Sequence, residues 1–194
     1  MRATWWGGAV APLLAVLVAA LALSAGSPLT GEASAASACK LWGKDKAKTL
    51  STKQARRAVA CLVNRSRDRH GLGDLDRDRR LNRSAQRHTR RMRQQRCFSH
   101  RCAGEPDLVG RLWSVNYLES GLSRWACGEN IAWGMRSEGK PVKVVRAWMH
   151  SPSHRAAILS RTFRDMGIGF VRGTPAYSHR YGATYTIDFG LRRG

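Results

Sequence analysis

Acidic side chains are scarce in this chain. Its 194 residues include 13 Asp and Glu against 34 Lys and Arg, for a formal charge of +21. So little counter-charge makes the chain an attractor of anions, and nucleic acid is the usual partner of such a balance. A long apolar run is also missing. The longest, Ala9 to Leu23, is short against the roughly 20 residues of a membrane-spanning helix. With Arg2 before it and small residues behind, it reads as a secretory leader. Cleavage would fall at Ala36-Ser37-Ala38 or Ala33-Ser34-Ala35. An uncleaved anchor and a lipid-modified Cys39 are weaker readings, because the run is short and ends well before that cysteine. Export turns the charge argument away from nucleic acid and toward wall polymers, lipid headgroups and acidic polysaccharides. No internal repeat is present, which excludes solenoids and propellers. The His-Glu-x-x-His of helical zinc sites and the Gly-x-Ser-x-Gly elbow of serine hydrolases are absent too.

What is present divides into a leader (1–38), a polar approach segment (39–54) and one domain (55–194). The five cysteines are Cys39, Cys61, Cys97, Cys102 and Cys127, so at least one stays unpaired within the chain. A Cys39–Cys61 bridge would pin the mature terminus to the first helix. A second bridge, from Cys97 or Cys102 to Cys127, is expected. Cys97 and Cys102 flank His100, which invites a thiol-hydrolase reading, but disulfide pairing is favoured in an exported chain and leaves no thiolate to attack with.

Leu50 to Arg69 has the apolar stripe of a helix in Ala55, Val59, Leu62 and Val63. Leu81, Ala85, His88 and Met92 form one face of a second helix. Its arginines lie mostly on the other faces, as an anion-binding surface or simply as a solvated one. "CFSHRC" should run extended. Asp107 to Val115 is a short helix after Pro106, and "WACGENIAWG" is a strand. Pro141 to Met149 and Pro152 to Leu159 are helices, and "MGIGFV" and "YGATYTIDFG" are closing strands. In the last, Tyr181, Ala183, Tyr185, Ile187 and Phe189 share a face. Helices in front and strands behind predict an α+β layer structure. The tryptophans Trp113, Trp125, Trp133 and Trp148 are expected in the core.

His150 and His154 sit four apart, which suggests a metal-binding pair on one helix. Pro152 forbids that reading, because it breaks a helix interior and suits a first turn. Ser151 is the N-cap of the new helix. His150 then ends one helix, and His154 begins another in a field that favours the neutral ring. Neutral imidazole binds metals and accepts protons.

Several stretches, taken in order, resemble one family: "CLVNRSRDRHGLGDL", "LNRSAQRHTRRM", "FSH", "CGENIAWG", "VVRAWMHSPSHRAAIL", "FRDMGIGF" and "TYTIDFG". They are similar to bacterial members of the CAP, or SCP-like, superfamily, whose eukaryotic members include cysteine-rich secretory, antigen 5 and pathogenesis-related proteins. The resemblance spans residues 55 to 190. It implies a three-layer α-β-α sandwich with a central, mostly antiparallel sheet. It also implies a cleft of two His and two Glu that in some members holds a divalent cation. Matched by position, these are His100, Glu129 and His154. Many eukaryotic members carry a Glu three residues after the helix tryptophan, and here Ser151 follows Trp148 at that spacing.

His100 and His154 are thus candidate metal ligands, zinc being the foremost metal. Glu129 is a ligand or supports one from behind, and is the candidate group for polarising a metal-bound water. The plainer alternative is a hydrogen-bonded network that only organises the cleft. Gly128 should allow close approach and Asn130 should tie a loop. The expected function is a secreted, cell-wall-associated binding module for anionic wall polymers, a lipid or a protein. The alternative is a metal-assisted hydrolase of peptide or wall material. A monomer with no membrane span after leader cleavage is expected, and nucleic acid is disfavoured as a partner.

Overall fold

A computed structural model describes Cys39, residues 49–176 and residues 181–194. The expected leader and most of the approach segment lie outside the described residues. Helix α1 (Thr52–Asp68) starts at a capping box in which Ser51 and Gln54 satisfy each other's backbone N–H, at 3.2 and 2.8 Å. Strand β1 (Asp76–Arg77) is minimal and leads into α2 (Arg79–Gln95), where the Asp78 carboxylate accepts from the N–H groups of Arg80 and Leu81. Then follow α3 (Leu108–Ser114), β2 (Arg124–Met135), a 3-10 turn (Arg136–Gly139), α4 (Pro141–His150), α5 (Pro152–Ile158), β3 (Asp165–Arg172) and β4 (Gly182–Arg193). Pro141 and Pro152 both open helices, as their missing N–H requires.

The sheet order is β1-β3-β4-β2. Only the β1–β3 pairing is parallel. Alternation along β4 sorts the layers. Ala183, Tyr185, Ile187 and Phe189 join the main core with Val59 of α1, Trp148 of α4 and Ile158 of α5. Thr184, Thr186, Asp188 and Gly190 face the other way, toward α2. Small residues let that helix come close. A Cβ on Gly167 would stand 2.0 Å from the Leu81 carbonyl carbon, and one on Gly169 would stand 2.2 Å from the Ala85 carbonyl oxygen. The result is the expected α+β sandwich, in which the described residues form five helices packed on a four-stranded mixed sheet.

β1 ends its pairing at Met166, which leaves the outer edge of β3 without a strand. Side chains take its place. Asn82 Oδ1 accepts from the Ile168 N–H at 2.9 Å. Gln86 accepts from the Phe170 N–H and donates to the Phe170 carbonyl, at 3.1 and 2.9 Å. Arg56 donates to the Ile168 carbonyl at 2.7 Å.

Three expectations are corrected. Cys97 pairs with Cys102 and not with Cys127, while the expected Cys39–Cys61 bridge is present. Cys127 is free and packs in β2 against the separate cluster of Leu81, Leu112 and Tyr117, whereas Cys97 and Cys102 pack with Met92 and Ile131. "CFSHRC" is therefore a bent loop closed on itself, not an extended segment. Of the tryptophans, Trp148 is core, but Trp113 of α3 and Trp125 at the start of β2 are 44% and 45% exposed.

Candidate functional site

β2 is the edge of the sheet opposite β1, and its odd-numbered side chains face the α2 layer. Glu129 is one of these. Its side chain is only 3% exposed, so its carboxylate must find partners within the protein. His100, in the loop closed by Cys97–Cys102, donates through Nδ1 to Glu129 Oε1 at 2.7 Å. Arg111 of α3 forms a close ion pair with Glu129 Oε2 and donates through Nη1 to the His100 carbonyl at 2.9 Å. One arginine therefore holds both the carboxylate and the loop carrying the histidine.

Behind them lies a second tier. His88 of α2 is fully buried, and its Nδ1–H donates to Glu105 Oε1 at 2.7 Å. The same oxygen accepts from the Cys102 N–H at 2.9 Å. His88 Nε2 stands 3.8 Å from Glu129 Oε2. Asp188 is directly opposite Glu129 in the β2–β4 register and fully buried.

These contacts decide the charges. Burial opposes ionisation of Glu129, but the His100 hydrogen bond and the charges of Arg111 and His88 outweigh it and hold its pKa below the usual value. Asp188 is the reverse case. Burial, reinforced by the charge of Glu129, pushes it well above the ordinary carboxylate range. His100 is raised by its bond to Glu129. His88 is lowered, chiefly by burial.

His154 lies in the first turn of α5, half-buried. Its Nδ1 is 2.8 Å from Ser151 Oγ. Ser151 thus occupies the N-cap position without capping through its side chain, because the hydroxyl is turned to the imidazole instead. Asn130 Nδ2 donates to the His154 carbonyl at 3.0 Å and ties α5 to β2, the loop-fastening expected of it. At Gly128 the close neighbour is the Phe163 ring, 2.9 Å from where a Cβ would stand. Burial and then the charge of His100 lower the His154 pKa, which favours its neutral ring. His150 ends α4 with Nδ1 donating to the Arg146 carbonyl at 2.8 Å, turned to its own helix.

The structure brings His100 and Glu129 into contact and sets His154 within electrostatic reach of His100. Among the described residues, no three His, Cys, Asp or Glu side chains form a ready-made metal cage. Arg111, Glu105 and Asp188 escaped the sequence reading. A histidine on the apolar stripe of α2 was the one visible hint of a buried polar tier.

Fold and side-chain geometry together define a class: an α-β-α sandwich with a histidine–carboxylate pair at the edge of its sheet. Residues 61–188 match the model of the CAP cysteine-rich secretory protein family, and the chain belongs to that family. It is 30% identical over 125 residues to the uncharacterized protein YkwD of Bacillus subtilis (strain 168), a match covering 63% of this chain and 45% of that one. Among solved structures it is similar to an extracellular SCP-domain protein of Bacillus anthracis, with 26% identity and a TM-score of 0.57 over 74% of this chain and 41% of that one. An outer surface protein of Borrelia burgdorferi shares the fold, with 19% identity and a TM-score of 0.60 over 74% of this chain and 97% of that one. The chain thus spans less than half of the two Bacillus proteins. The two structural relatives are extracellular or surface proteins by name, and the two disulfides of this chain are consistent with secretion.

Proposed function

We propose that the protein is an extracellular binding module whose cleft holds a divalent metal, zinc foremost, between His100 and His154. The observation that carries this reading is that both rings are committed at Nδ1, to Glu129 and to Ser151. A proton on each Nδ1 leaves each Nε2 lone pair for a metal, the arrangement in which a hydrogen bond behind a ligand orients it. The downward pKa shift of His154 favours the neutral ligand form. Two imidazoles suit zinc or copper better than calcium, and solvent or a donor atom of the bound partner completes the coordination. Glu129 acts from behind His100, not as a ligand, since its two oxygens are taken by His100 and Arg111. That engagement also favours binding over hydrolysis, because Glu129 has no free oxygen to take a proton from water.

Calorimetric titration of the full chain with Zn²⁺ tests the proposal. His100→Ala and His154→Ala should each weaken affinity by at least about tenfold while circular dichroism is unchanged. Equal affinity in parent and both variants, or no binding by the parent, overturns it.

A further inference from the structure

We propose that the outward face of α2 is a docking surface for a linear phosphodiester polymer of the cell envelope. The helix contains no acidic residue between its first and last positions. Arg79, Arg83, Arg87 and Arg90 are all exposed. At 100° and 1.5 Å per residue they fall within an arc of about 80° and extend over about 16 Å of helix axis. They form a straight file of guanidinium groups, one roughly every turn. None of them makes a hydrogen bond or ion pair among the described residues. The arginine of α2 that is ion-paired among the described residues, Arg91, reaches Glu105, the carboxylate that also holds His88.

The carboxylates nearest in sequence, Asp76 and Asp78, lie at the N-terminal end of the file, where Asp78 is engaged in capping α2. Arg56 adjoins the file, bonded to the Ile168 carbonyl and to Gln86. Its pKa is lowered by burial and then by the charges of Arg77 and Arg90, so three cations stand within electrostatic reach of one another near the β3 edge. Like charges crowded without a counter-ion cost stability, and an anion bound there would relieve that cost.

The geometry selects the partner. Arginine forks match the oxygens of a phosphate in two parallel bonds. A file one helix wide suits a chain better than a flat sheet of headgroups. The large exposed apolar side chains, Phe98, Trp113, Trp125 and Tyr181, belong to other elements, so the ridge has no anchor to bury in a bilayer. It also lacks interleaved aromatics on which unpaired bases would stack. Only the choice of an envelope polymer rests on the extracellular reading given above; the ridge itself does not involve the cleft.

The test measures binding of the full chain to poly(glycerol phosphate) across a salt series. A single-stranded oligonucleotide and phosphatidylglycerol vesicles are compared at equal phosphate. The parent should bind the polymer most tightly and lose affinity as salt rises. The variant carrying Arg79→Gln, Arg83→Gln, Arg87→Gln and Arg90→Gln should lose about tenfold or more at low salt. A control carrying Arg124→Gln, Arg146→Gln, Arg161→Gln and Arg193→Gln removes the same charge from exposed positions elsewhere, and should lose less than about threefold. His100→Ala with His154→Ala should bind the polymer as the parent does, whether or not the cleft takes zinc. Equal losses in the two quadruple variants would reduce the ridge to net charge and overturn the proposal. So would no binding by the parent, or tighter binding to vesicles or oligonucleotide.

Discussion

Glu129 and Asp188 stand opposite each other on neighbouring strands, and the low-dielectric interior allows only one of them a charge. Arg111 and His100 give it to Glu129. The two carboxyls therefore oppose each other in pH dependence. Glu129, with its pKa lowered, contributes stability that is present above the unfolded carboxylate range and lost as pH falls through its folded pKa. Asp188, with its pKa raised, contributes stability that is present below that range and lost as pH rises through its folded pKa. Asp188→Asn removes only the second effect. Urea midpoints measured from pH 3 to pH 9 should coincide with the parent at the acid end and exceed it increasingly above, by on the order of 1–3 kcal/mol near pH 8. A variant that is less stable than the parent throughout would show that Asp188 is needed as an acid. His100, Glu129 and His154 were legible as candidates because short motifs surround them. Asp188 and Arg111 were not, since an aspartate in an alternating strand and an arginine in "GRLW" acquire partners only after β4 and α3 reach β2.

At the scale of elements, the outer edge of β3 shows how side chains can stand in for a strand. Gln86 is 7% exposed and spends its amide on one residue, donating to and accepting from Phe170, while also accepting from Arg56 at 3.0 Å. Gln86→Leu keeps the bulk and leaves the Phe170 N–H and carbonyl without partners, each worth about 1–3 kcal/mol when buried. A loss of roughly 2–4 kcal/mol in chemical denaturation is expected. A loss under about 1 kcal/mol would mean that water already serves this edge. The elements themselves were largely readable. Apolar stripes announced α1 and α2, Pro152 separated α4 from α5, and strict alternation announced β4. The two-residue β1 and the capped edge were not readable, because neither has periodicity and both depend on which strand ends the sheet.

For the whole molecule, the two disulfides close very different loops. Cys39–Cys61 spans 22 residues and joins Cys39 to α1; Cys97–Cys102 spans 5 and encloses His100. Loop-closure entropy assigns about 3 kcal/mol to the longer and about 2 to the shorter. Their effects on the cleft should run in the opposite order. The short loop reaches the site directly, through the Cys102 N–H to Glu105 and through His100 to Glu129. The long one touches neither. Cys39→Ala with Cys61→Ala should therefore lower the unfolding midpoint more, yet leave zinc affinity within about twofold of the parent. Cys97→Ala with Cys102→Ala should cost less stability and weaken zinc binding by about tenfold or more, as misplacing a ligand's support does. Cys127 serves as the internal control. Its thiol is half-buried and its pKa is raised, chiefly by burial, so it should alkylate slowly in the native protein and rapidly in urea. Tryptic mapping that found Cys127 bridged to Cys97 or Cys102 would refute this arrangement, since one cysteine of that loop would then be free and the ring around His100 open.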